Sequence, residues 1–182
     1  MDAIDAIISR TSSPKLKGPA PSADELEIIL RAASRAPDHG MLKPWRFIVA
    51  KEERLNDLGD FWANAIFEST EDEELADSMR SKPLRAPMVI IAYMDFQPSP
   101  KAPRVEQILA TGAAVQNMMI AIHAMGYAAY WRTGNFARNE ELKHRMNLKE
   151  EDEIVGFIYI GTADCQPKQL KPVDIHDYVT FY

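Results

Sequence analysis

Among 182 residues there is one cysteine, Cys165, so neither an internal disulfide framework nor a cysteine-rich metal site can be built. A reducing, cytoplasmic compartment suits that usage. The four histidines, His39, His123, His144 and His176, are scattered, which argues against a metal centre. There is no Gly-rich phosphate loop, no metalloprotease helix signature and no internal repeat. The opening MDAIDAIISR carries two acids and no cleavable apolar core, so it does not read as a secretion signal. Residues 107–131 contain no Asp, Glu, Lys or Arg, yet Gln107, Thr111, Gln116, Asn117 and His123 are too polar for a membrane span of that length. With a net charge of −6, nonspecific attachment to nucleic acid or to an anionic membrane is disfavoured.

What is present is ordinary globular composition, 46% hydrophobic and 26% charged, which predicts one domain over residues 1–182. The acidity is local: residues 52–80 hold ten acids against two bases, Arg54 and Arg80. That run reads as a solvated helical face, and the remainder is free to hold an anion. Residues 2–9 read as a short helix with Ile4, Ile7 and Ile8 on one side. Ser22, with Glu25 three residues on, forms a capping box for a second helix that Pro37 closes. Strands are expected at 45–50, 88–94, 128–133 and 153–161, and helices at 52–67, 71–82 and 138–146. The uncharged run reads as a helix buried on nearly all sides, part of its cover coming from a second subunit. The apolar ending YVTFY reads as a tail that packs on a partner chain. Helices and strands mix without regular βαβ alternation, which predicts an α+β layer fold.

Three clusters carry chemistry. Arg10-Thr11-Ser12 follows the first helix; a guanidinium and a nearby hydroxyl suit a phosphate. Arg35-Ala-Pro-Asp-His39 precedes a turn and Trp45, and offers donors to an anion or a polar ring edge. Tyr130-Trp131-Arg132-Thr133-Gly134 puts a cation and a hydroxyl at a strand end beside a glycine. Taken together, Arg10, Ser12, Arg132 and Thr133 suit one phosphate, and Arg35, His39 and Trp45 suit a planar polar ring. Spacing alone stops at an anion or cofactor binder.

The same strings resemble the FMN-dependent nitroreductase family, in one of its short branches. The likeness rests on Arg10-Thr11-Ser12, where the family usually has Arg-Arg-Ser, on RAASRAPDHGMLKPWRF (31–47), on GYAAYWRTG (126–134) and on EIVGFIYIGT (153–162). It implies an α+β, nitroreductase-like fold with a central, mostly antiparallel sheet flanked by helices. It also implies a homodimer with FMN at the subunit interface and a C-terminal tail wrapping the partner. By the same resemblance Arg10, Thr11 and Ser12 hold FMN phosphate or ribityl from one subunit, while Arg35 and His39 approach the flavin from the other. Trp131, Arg132 and Thr133 close the phosphate end. NADH or NADPH lies near Ala121, Ile122, His123, Ala124, Met125 and Gly126. The implied chemistry is ping-pong hydride transfer from the nicotinamide to flavin N5 and on to an electron-poor acceptor such as a nitroaromatic or quinone. A cation near N1 and the C2 carbonyl would favour the reduced flavin; Arg35, His39, Lys15 and Lys17 are the candidates. No side chain is implied as an obligatory acid. Thr11 departs from the family pattern and removes one cation. A flavin-binding sensor with little turnover, a cofactor-free interaction protein, and reduction of carbon–carbon or carbon–halogen bonds remain open alternatives.

Overall fold

The computed structural model describes residues 1–166 and 168–182; Pro167, in the QPKQLKP loop read from the sequence, lies outside the described residues. In chain order the elements are α1 (Ala3–Ser9), β1 (Leu16–Lys17), α2 (Ala23–Ala33), β2 (Trp45–Lys51), α3 (Arg54–Thr70), α4 (Glu73–Arg80), β3 (Met88–Met94), α5 (Arg104–Ala124), β4 (Ala128–Arg132), α6 (Glu140–Arg145) and β5 (Glu153–Ala163). The capping box of α2 forms as expected: Ser22 Oγ accepts from the Glu25 N–H, and Glu25 accepts from the Ser22 N–H at 2.8 Å.

The sheet runs β2-β3-β5-β4, with β1 joining the far end of β5, and every described pairing is antiparallel. β3 reads MVIIAYM because both of its faces are covered. Its Met88, Ile90 and Ala92 meet α2 and α5. Val89 and Ile91 face the other way, into a core with Trp62 of α3, Leu142 of α6 and Phe157. Trp62 meets Phe157 and Phe136 edge to face, with centroids 4.9 and 5.2 Å apart. The central strands thus separate two chemically distinct halves of the molecule.

In the single chain α5 is buried along one side. Gln107, Ala110, Thr111, Ala114, Val115, Met118, Met119 and Ile122 are buried, but Val105 and Leu109 are 58% and 66% exposed. The helix has the length and composition of a membrane span, yet its buried stripe forms the centre of the protein core. Gln107 there is satisfied, giving its amide protons to the Gln97 and Ala102 carbonyls and accepting from the Gln97 N–H.

The acidic run folds into α3 and α4 packed against each other. Gly59 makes that approach possible, since a Cβ there would overlap the Arg80 carbonyl oxygen. Arg80 in turn pairs with Asp60 and Asp77, and Arg145 with Glu68 at 2.7 Å. Beyond β5 every described residue of the tail is exposed, including Tyr178 at 79% and Phe181 at 80%. Ile4, Ile7 and Ile8 of α1 are exposed as well.

Candidate functional site

The first cleft, about 160 Å³, opens between the end of α1, the end of α5 and the start of β4. Asp2 caps α1 by accepting from the Asp5 N–H, and the helix ends at Ser9, whose hydroxyl lies 2.9 Å from His123 Nε2. Because that hydroxyl gives its proton to the Asp5 carbonyl, the imidazole is the donor in the pair. Arg10-Thr11-Ser12 then runs beside β4, pinned by the Ser13 N–H donating to Ala129 O at 3.1 Å. Arg10, Thr11, Ser12, His123, Gly126 and Lys168 all line this cleft, and no carboxylate does. Arg10 Nη1 is buried and has no hydrogen-bond partner among the described residues. A buried donor without an acceptor is costly, so the cleft suits an anion. Cys165 also lines it, 3.2 Å from Ser13 Oγ.

Of the segment 121–126, His123 and Gly126 reach this cleft. Ile122 is wholly buried in the core, and Ala121 and Met125 pack against it. Ala124 is exposed at the end of α5. Gly126, at φ +86°, turns the chain into β4 in a conformation that other residues resist.

The second cleft, about 420 Å³, lies on the opposite face of the sheet. Successive side chains of a strand alternate sides, so β4 sends Ala129 and Trp131 towards α5 but Tyr130 and Arg132 towards α3. The Arg132 guanidinium sits 4.2 Å over the Tyr130 ring and 5.4 Å from that of Tyr159. The shared phosphate pocket of Arg10, Ser12, Arg132 and Thr133 therefore does not form within one chain: the first pair lines one cleft and the second pair the other. Strand alternation separates them. Trp131 reaches the edge of the second cleft too, while its indole N–H donates to Val155 O at 3.1 Å, at an irregularity in the β3–β5 register. Burial pushes the Tyr159 hydroxyl up to about 12, so it is a neutral donor at ordinary pH. Lys82, Arg85, Trp62 and Tyr159 complete this cleft and were not among the residues singled out from the sequence. The one local signal was a pair of cations, Lys82 and Arg85, just past the acidic run.

The third cluster stands apart. Arg35 lines a shallow depression with Asp38, Met41, Lys43 and Trp45. His39 Nδ1 pairs with Glu106 on the first turn of α5 at 2.6 Å. Arg35 and His39 thus share no cleft with Arg10 in one chain.

The chain is an α+β protein with an antiparallel sheet and, on opposite faces of it, two donor-rich clefts that no carboxylate lines among the described residues. The chain belongs to the nitroreductase family: the family model described as Nitroreductase family matches residues 7–162. It is an oxidoreductase of that class. It is 34% identical over 185 residues to the Escherichia coli (strain K12) protein named "Putative NAD(P)H nitroreductase YdjA", covering 100% of both chains. Among solved structures, a nitroreductase-like family protein from Bacillus cereus superposes with a TM-score of 0.83 at 24% identity, covering 100% of this chain and 96% of that one. The FMN and NADPH-dependent nitroreductase NfnB from Sphigopyxis sp. strain HMH superposes with a TM-score of 0.76 at 16% identity, covering 100% and 99%. These two show the fold.

Proposed function

We propose that this chain is an FMN-dependent NAD(P)H oxidoreductase of one domain, residues 1–182, that works as a homodimer in the cytoplasm. The observation that carries the reading is Arg10 Nη1, a buried cationic donor lacking an acceptor among the described residues, in a cleft that no carboxylate among them lines. A phosphate there would supply what the side chain lacks. The residues present fit the cofactor: Arg10, the Ser12 hydroxyl, the Thr11 backbone and Lys168 would hold its phosphate end. Thr11 offers no cation at this end, and Lys168 supplies one from the tail.

Two features support the dimer. At about 160 Å³ the first cleft is smaller than the roughly 300–1,000 Å³ usual for a cofactor-sized ligand, so it is a partial site. The uncovered apolar residues of α1, α5 and the tail, among them Ile4, Ile8, Leu109 and Phe181, are exposed in the single chain. The family resemblance assigns a second copy's Arg35 and His39 to the flavin, and Trp131, Arg132 and Thr133, which line the other cleft within one chain, to its phosphate end.

Bound FMN would accept a hydride from a reduced nicotinamide and pass reducing equivalents to an electron-poor acceptor in a ping-pong cycle. The chain's own contribution is binding and orientation. Arg10 and Lys168 neutralise phosphate charge, Ser12 donates a hydrogen bond, and the backbone at Gly126 leaves room for a nucleotide to approach. The test is steady-state kinetics with NADH or NADPH and a nitroaromatic or quinone. Parallel double-reciprocal lines with a flavin-containing dimer are expected. Retained flavin with no nicotinamide oxidation would contradict the enzyme reading.

A further inference from the structure

Helix α1 is loosely attached within one chain. Of its seven residues only Ala6 is buried, and Ile4, Ile7 and Ile8 are exposed. Its last residue, Ser9, nevertheless has a fixed place. The Ser9 hydroxyl gives its proton to the Asp5 carbonyl at 2.5 Å, one turn back, which leaves its lone pairs to accept. His123, in the last turn of α5, reaches it through Nε2 at 2.9 Å and supplies that proton. The next residue, Arg10, has already left the helical conformation, at φ −59° and ψ 129°. The point from which its side chain enters the first cleft is therefore set at Ser9. The following anchor is Ser13, whose N–H donates to Ala129 O at 3.1 Å. Between the two anchors, Thr11 and Ser12 make no hydrogen bond among the described residues. Arg10-Thr11-Ser12 is thus a short span held at its two ends, one by α5 and the other by β4.

Holding both ends orders the span before a ligand arrives, which lowers the ordering cost of binding. Arg10 Nη1, buried and without a partner among the described residues, is the donor this arrangement keeps ready. We infer that His123 is a positioning residue for the cofactor: through Ser9 it fixes the end of α1 and so the place of Arg10 in the first cleft. The inference rests on the FMN reading above and deepens it, giving the His123 side chain a task other than contact with the nicotinamide nucleotide. A histidine suits that task. It donates from Nε2 both as the Nε2-protonated neutral ring and as the imidazolium, and it brings no negative charge into a cleft that has to accept a phosphate.

The experiment measures FMN affinity by flavin-fluorescence titration for the parent, Ser9→Ala, His123→Ala, the double variant and His123→Gln. Mass is followed by light scattering, and amide exchange is followed in the flavin-free proteins. Ser9→Ala and His123→Ala are each expected to weaken FMN binding roughly 3- to 10-fold, the loss of one hydrogen bond. The double variant should be within about twofold of either single one, because both remove the same link. His123→Gln, whose carboxamide N–H can replace the Nε2 donor, should stay within about twofold of the parent. In an Arg10→Met background, His123→Ala should cost less than about twofold more. Amide exchange over residues 6–12 should quicken in both alanine variants. A loss on His123→Ala with Ser9→Ala within twofold of the parent overturns the inference, because the imidazole would then touch the ligand itself. Independent costs in the double variant, or a full cost in the Arg10→Met background, overturn it too. A lower mass for His123→Ala also overturns it, because the residue would then act at the subunit interface. A parent protein that takes up no FMN refutes the oxidoreductase reading; exchange that still quickens over residues 6–12 leaves the His123–Ser9 clamp standing, and unchanged exchange removes it as well.

Discussion

Arg10→Met separates ligand binding from folding with opposite signs. In the free chain Arg10 Nη1 is buried and unpartnered among the described residues, and a buried donor left without a partner costs about 1–3 kcal/mol. Methionine fills similar space with no donor, so the flavin-free protein should unfold at the same temperature or slightly higher. With FMN present the balance reverses. A hydrogen bond to a charged group contributes about 1.5–3 kcal/mol, so its loss should weaken FMN binding roughly 10- to 150-fold. A tenfold loss removes about 1.4 kcal/mol of ligand-derived stabilisation at saturating flavin. The assay pairs flavin-fluorescence titration with thermal unfolding of the same protein with and without FMN. An FMN affinity within twofold of the parent, or flavin-free protein destabilised by more than about 1 kcal/mol, would refute the reasoning and make Arg10 a structural residue.

Other expectations rest on separate parts of the fold. Arg132→Ala should lower FMN retention after gel filtration more than Arg138→Ala; equal retention in both would remove Arg132 from the cofactor site. Gly59→Ala forces a Cβ against the Arg80 carbonyl and should destabilise by about 1–3 kcal/mol in chemical denaturation, and an unchanged midpoint would mean that α3 and α4 do not pack as described. Tyr159 has its folded value raised to about 12 from 10.0, so burial of the neutral phenol contributes stability that is complete below pH 10 and lost as pH rises towards 12. Tyr159→Phe should flatten that alkaline decline, and an unchanged alkaline profile would place the phenol in water. Deleting residues 170–182 exposes apolar surface that the tail is proposed to cover on a partner, and light scattering should show a lower mass at micromolar concentration. An unchanged dimer mass would place the interface elsewhere.

Local chemistry was the legible part of the sequence. Ser22 and Glu25 announced the start of α2 because a capping box is complete within four residues. β3 and β5 announced themselves as central strands by being apolar on both faces. That Arg10, Thr11 and Ser12 stand together was legible too, since they are consecutive, but that His123 of α5 joins them in the first cleft was not. What could not be read is what depends on register and on which face of the sheet a side chain meets. Arg132 follows Trp131 directly, yet one residue in a strand is the difference between the two sides of the sheet. Lys82 and Arg85 belong to no motif in the sequence, and Trp62 lies inside the acidic run. Only the packing of α3 over β5 brings them together with Tyr159. The uncharged stretch of α5 signalled burial without saying by whom. Its open stripe at Val105 and Leu109 is the part that the proposed partner would cover.

The most direct test of the account is the visible absorption spectrum of the purified protein, with the flavin identified after denaturation and the spectrum followed on anaerobic addition of NADH or NADPH. The account predicts a flavin spectrum, FMN as the released cofactor, and bleaching by a reduced nicotinamide nucleotide. A protein that stays colourless after incubation with FMN, or whose flavin does not bleach with either nucleotide, would contradict it.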